Sequence, residues 1–299
     1  MKYRKLGRTN LQVSELGFGA WAIGGALKLG EQSLSYGQTS NKESLRALRV
    51  AMDNGINFFD TADIYGDGLS EQLIGQAIKG RRGEVVVATK VGNVVKRDEL
   101  RFDLSYSHIV EACEKSLKRL GTDYIDLYQL HFPPESDEYL EALGELKKEG
   151  KIRFAGVSIA HQFDKAKQFM ESEVIDTLLL YYNLLLRTAE DVVLNHARRH
   201  NIGIIVASPL SRGLLTGKFG KNINFSAEDV RSRWNDGEKD RDWFLEQLEA
   251  VAKIKSKLTV NNERLTNFSL NFPLWHPAVS TVIAGMKNEE QLLQNLKSF

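Results

Sequence analysis

The chain has 299 residues, 42% of them hydrophobic and 26% charged, with 40 Lys and Arg against 39 Asp and Glu for a formal net charge of +1. That balance is ordinary for a soluble globular protein and lacks the basic excess of a dedicated nucleic-acid surface, so no nucleic-acid partner is expected. A lone cysteine, Cys113, excludes an intrachain disulfide framework; the first residues lack the apolar core of a signal peptide and no apolar run approaches the ~20 residues that span a bilayer, which predicts a cytoplasmic protein with no membrane partner.

The N-terminal residues Lys2–Leu6 and Leu11–Val13 flank Gly7-Arg8-Thr9-Asn10, the pattern of a hairpin. Short apolar runs then alternate with helix-period segments. Leu16–Ala20 reads as a strand and Ser44–Asn54 as a helix stopped by Gly55. Asn57–Asp60 is a strand, Ser70–Lys79 a helix and Val85–Lys90 a strand. Tyr106–Leu120 has helical spacing and ends at Gly121; Ile125–Leu130 is strand-like; Glu138–Glu149 is a helix closed by Gly150. Strands follow at Ile152–Val157, Thr177–Leu180 and Ile202–Ala207, separated by helices around Phe163–Glu171 and Ala189–Arg199. Ser211–Val260 is too long for one crossover and predicts a loop plus an extra helix, Arg241–Leu258. Ser280–Ile283 is the last strand, before a helix from Glu289.

Eight strand candidates alternating with helices imply parallel strands joined by crossovers. An open doubly wound sheet shares that alternation, but no G-x-G-x-x-G follows the first strand, where a dinucleotide-binding open sheet would need it. The expected fold is therefore an α/β protein, a (β/α)₈ TIM barrel over residues 1–299 as one domain, with an N-terminal β-hairpin plug and an extra helix late in the chain.

Barrel chemistry lies at the C-terminal ends of the strands. Asp60 ends the second predicted strand with Tyr65 five residues on, Lys90 closes the third, and His131 follows the fourth. A phenol titrates near ~10 and needs help to work near neutrality; an ammonium beside it is expected to lower that value. Lys90 supplies the charge, Asp60 holds Lys90, and His131 orients a substrate oxygen, a set suited to protonating a carbonyl as hydride reaches its carbon. Trp21 and Phe132, with Tyr65 and His131, are expected to line an apolar substrate pocket, under cover of the stretches Lys28–Gln38 and Ser226–Asp240. Lys28 and Arg231 could recognise an anionic substrate, but the preferred reading of each is a surface charge. His196 and His200, spaced i, i+4, lack an H-E-x-x-H pattern and read as a solvated helix face, so no metal is expected.

The segments Asn57–Gly66 (NFFDTADIYG), Ala88-Thr89-Lys90, Leu130-His131, Gly156-Val157-Ser158, Tyr182–Leu185 (YNLL) and Ser208–Lys218 (SPLSRGLLTGK) resemble the aldo-keto reductase family, across almost the whole chain. The resemblance implies a tetrad of Asp60, Tyr65, Lys90 and His131, with Tyr65 as general acid in reduction and general base in oxidation. It implies NADP(H), with NAD(H) the alternative, extended across the C-terminal face. By position, Asp60, Ser158, Ser208, Pro209, Leu210, Gly213 and Lys218 would contact the cofactor, and Gly285, Lys287, Gln291 and Asn295 would hold its adenosine end. Three positions depart from the family pattern: Ile159, Leu179 and Ala207 stand where two amide side chains and an aromatic ring usually meet the nicotinamide. The implied activity is reduction of small aldehydes or ketones; the rival is a regulatory or interaction barrel that binds nucleotide weakly.

Overall fold

The computed structural model describes every residue except Glu31, Asp98 and Gly237, and the side chains of Asp236 and Glu238 are likewise not described. Eight strands close into a barrel: β1 (Leu16–Gly19), β2 (Phe58–Asp60), β3 (Val86–Val91), β4 (Ile125–Leu130), β5 (Ile152–Ala160), β6 (Thr177–Tyr181), β7 (Gly203–Ala207) and β8 (Val279–Gly285). They run parallel in chain order, and β8 closes on β1 through pairs such as Val282 with Leu16.

Side chains alternate across each strand, and the alternation sorts the apolar residues into two cores. Phe58, Val86, Ala88, Leu127, Leu179, Ile205 and Ile283 fill the barrel interior. Their neighbours Phe59, Val87, Tyr128, Leu178, Val206 and Val282 face the helix layer. The inward register also places Asp60 after Phe58, Lys90 after Ala88 and Gln129 after Leu127. A third cluster, around Leu214, Leu215, Trp234, Phe244 and Leu265, underpins the long segment between β7 and β8.

The predicted hairpin forms from Tyr3–Lys5 and Gln12–Ser14. Leu6, Leu11 and Val13 are buried in the same cluster as the barrel interior, so the hairpin plugs the N-terminal mouth. Gly7 makes the fit: its φ is +53°, and a Cβ there would lie 2.0 Å from the Gly203 backbone nitrogen at the start of β7.

The extra helix spans Glu238–Leu258, three residues longer at its N-terminus than its apolar pattern suggests. A helix and a hairpin are among the elements not apparent in the sequence. Asn262–Asn271 is a helix capped by Asn261, but it buries only Leu265, Ser269 and Leu270, too few to mark a period. The hairpin Asn93–Lys96 with Glu99–Phe102 has no buried face and so shows no alternation. Phe163–Glu171 resolves into a tight turn, Phe163–Lys165, and a short helix, Ala166–Met170.

Candidate active site

The ends of β2, β3 and β4 meet at the C-terminal mouth. Thr61 N donates to Ala88 O (2.8 Å), Asp63 N to Lys90 O (3.2 Å) and His131 N to Val91 O (2.8 Å), so the loop after each strand is stitched to its neighbour. Tyr65 is delivered by the turn after β2. Gly66 behind it adopts φ +62°, and a Cβ there would fall 1.8 Å from Gly24 O.

Lys90 Nζ donates to Asp60 Oδ1 at 2.5 Å and to Thr61 O at 2.8 Å. Both side chains are almost fully buried, at 3% and 4% exposed. Asp60 Oδ2 accepts from Gln129 Nε2 at 3.0 Å. Burial pushes the Asp60 carboxyl above its ordinary range, while the Lys90 charge and these two hydrogen bonds pull it back. Lys90 Nζ lies 5.2 Å from the centre of the Tyr65 ring, and His131 meets that ring edge-on at 5.8 Å. Trp21 stacks against the Tyr65 ring at 6.1 Å.

The electrostatics depart from the expectation in one respect. The Tyr65 phenol is held well above its ordinary range, because burial and the Asp60 carboxylate outweigh any help from Lys90. The ammonium charge is spent on Asp60. Tyr65 therefore keeps its proton, as a donor must. Burial, with the Lys90 charge nearby, depresses His131 to about 3, so the imidazole is neutral at physiological pH. His131 Nδ1 is buried with no partner among the described residues.

These groups line one end of a cavity of about 800 Å³ that extends to the start of the Glu289–Leu296 helix. Asp60, Tyr65, Lys90, His131 and Trp21 all line it, as do Ser158, Ser208, Pro209, Leu210, Gly213, Lys218, Gly285, Lys287, Gln291 and Asn295. Phe132 is not among the residues that line the cavity: its ring packs edge-on against Phe102 at 4.8 Å and stands over Gly92. Leu179 and Ala207 face the cavity, whereas Ile159 is buried in the helix-side core, where the register of β5 shifts between Ser158 and Ala160.

The loop after β7 carries Ser208, Ser211, Arg212 and Gly213 at φ between +47° and +96°. Such backbone persists where its surroundings enforce it. Asn183 does so here: Nδ2 donates to Ser208 O at 3.0 Å, while Oδ1 accepts from Leu185 N and Leu186 N. At the far end, Asn288 caps the last helix by accepting from Gln291 N, and Gln291 Oε1 accepts from Lys287 N at 2.9 Å. Lys287 Nζ donates to Tyr36 O.

Four lining or supporting residues were not singled out as site residues from the sequence. Arg231, read as a surface charge, lines the cavity; it pairs with Asp229 at 2.6 Å and lies over the rings of Tyr36, Phe219 and Phe225. Tyr36 forms a backbone bridge with Asp229, so the two stretches expected to cover the pocket do meet over it; Glu31 and Gly237 within them lie outside the described residues. Arg212 lines the cavity, and among the described residues its guanidinium has no hydrogen bond or ion pair. Gln129 had a legible signal: it is a polar residue on the face of an apolar strand that leads to His131. Lys28 is exposed, as expected. His196 and His200 stack at 4.5 Å on their helix, and no group of three or more metal-ligating side chains occurs among the described residues.

The model of the Aldo/keto reductase family matches residues 15–299. The chain belongs to this family. Its members are oxidoreductases that in general depend on NAD(P)H. Aldo-keto reductase YhdN of Bacillus subtilis (strain 168) is 36% identical over 98% of this chain and 87% of its own length. A probable voltage-gated potassium channel subunit beta of Arabidopsis thaliana is 31% identical over 100% of this chain and 91% of its own. The holo form of aldo-keto reductase AKR11C1 from Bacillus halodurans superimposes with a TM-score of 0.79 at 32% identity, covering 100% of this chain and 90% of that one. Family and barrel thus agree with the sequence motifs. No described helix is long and apolar enough to cross a membrane.

Proposed function

We propose that residues 1–299 act as one barrel that reduces small aldehydes or ketones with NADP(H). The observation that carries this reading is the convergence of Tyr65, the buried Lys90–Asp60 pair and a neutral His131 on one end of a long cavity. The cavity suits a dinucleotide in its polar features. Arg212, Lys218 and the loop from Ser208 to Gly213 offer cationic groups and backbone donors for a pyrophosphate. Lys287, Gln291 and Asn295 take the adenosine end; a lysine gives a point charge rather than a bidentate fork, so NADP(H) is favoured over NAD(H) only modestly.

When bound, the nicotinamide would supply hydride to the carbonyl carbon. The protein's share is the proton. Tyr65 keeps its hydroxyl protonated through burial and delivers that proton to the carbonyl oxygen as negative charge builds there. The phenolate left behind faces Lys90, whose charge then stabilises it, and Asp60 keeps Lys90 fixed in place. Neutral His131 offers a ring N–H to the same oxygen and sets the face presented. Trp21 packs the substrate against Tyr65 and excludes water.

One observation favours the rival reading of a nucleotide-poor regulatory barrel: Leu179 and Ala207 present no hydrogen-bonding or aromatic group to the cavity. Three measurements separate the two. NADPH fluorescence titration should give saturable binding, and a panel of aldehydes, ketones and sugars should yield turnover. Tyr65→Phe should lower kcat at least a thousandfold while leaving the NADPH Kd within twofold. No binding at millimolar NADPH, or full turnover by Tyr65→Phe, would overturn the proposal.

A further inference from the structure

We infer that Gln129 is a positioning residue for the proton-transfer site, acting through Asp60 on Lys90. The inference rests on the reductase reading above. Gln129 is fully buried on the inner face of β4, two residues before His131. Its Nε2 donates to Asp60 Oδ2 at 3.0 Å, and its Oε1 has no partner among the described residues. A buried amide with one hydrogen bond has one orientation that it cannot give up cheaply.

The consequence follows from how a carboxylate is held. Lys90 takes one oxygen of Asp60 and Gln129 takes the other. With both oxygens engaged the carboxylate cannot rotate, so the ammonium on its far side is fixed beneath the Tyr65 ring. The amide is also a hydrogen bond to the charged form, which favours ionisation in a site where burial opposes it. Removing it frees the carboxylate to turn and to take up a proton, and Lys90 then loses its counter-charge. The titratable groups that act on the Asp60–Lys90 pair are Tyr65 and Asp63 from the loop after β2 and His131 after β4. None of them bonds to Oδ2.

The room for this side chain is built in from the next strand. A Cβ on Gly156 would lie 3.2 Å from Gln129 Cγ and 2.3 Å from Thr177 Oγ1. Any larger residue there would press on the amide. Sequence position 156 thus keeps clear the space that Gln129 needs to reach Asp60.

Two variants test the role. Gln129→Leu keeps the volume and removes the donor. Expected are an unchanged NADPH Kd, KM within twofold, and kcat lower by about tenfold or more, the scale of one hydrogen bond to a charged group. Carboxyl ¹³C NMR, with Asp60 assigned by Asp60→Asn, should show its titration about one pH unit higher in Gln129→Leu than in wild type. Gln129→Glu is isosteric and shares one proton with Asp60, so its activity should hold at low pH and fade as pH rises, a dependence that a packing role would not create. Wild-type kcat in Gln129→Leu, with an unmoved Asp60 titration, would refute the positioning role. The NMR readout needs no turnover, so a failure of the reductase reading is seen separately, in wild-type protein that binds no NADPH.

Discussion

At the scale of single residues, the site depends on backbone as much as on reactive groups. Tyr65 reaches the cavity because Gly66 turns left-handed against Gly24 O, where a Cβ would be at 1.8 Å. Gly66→Ala must push the two loops apart and carry the phenol with them. A displacement of about 1 Å at a reacting group costs on the order of a hundredfold in rate. We therefore expect Gly66→Ala to lower kcat at least tenfold while NADPH affinity stays within a few-fold of wild type, read from steady-state kinetics and fluorescence titration. Unchanged kcat would mean that the loop relaxes without moving Tyr65. Arg231 teaches a related point: a lone arginine in a polar stretch carries no sign of its surroundings, and only the fold reveals the three aromatic rings that enclose it.

At the scale of elements, the N-terminal hairpin and the tetrad occupy opposite ends of the same strands. Leu6 is fully buried in the plug. Leu6→Ala should cost about 3 kcal/mol in urea denaturation, within the range for such core truncations, yet leave kcat within twofold. A large loss of activity in a folded Leu6→Ala protein would show that the plug shapes the distant mouth. This division also explains what could be read in advance. The barrel strands, buried on both faces, stand out as short apolar runs, and reactive groups at their ends follow from the fold's geometry. The Asn93–Phe102 hairpin and the Asn262–Asn271 helix bury little and left no period to find. Phe132 falls outside the cavity lining, for adjacency to His131 in sequence says nothing of direction once the strand has ended.

At the scale of the whole molecule, burying an imidazole links the mouth to acid stability. His131 titrates near 3 when folded and near ~6.5 when unfolded. Its contribution is fully present above about 6.5 and is lost as pH falls toward 3, because only the unfolded chain takes up the proton. The slope reaches about 1.4 kcal/mol per pH unit within that window. Urea midpoints measured from pH 7 to pH 4 should fall more steeply for wild type than for His131→Gln; equal slopes would place the ring in water.

The stopper at the base of the barrel has a consequence for hydration. Leu6, Leu11 and Val13 join the apolar cluster of the strand interior, so the hairpin finishes a core whose lower layer would otherwise lie bare to water.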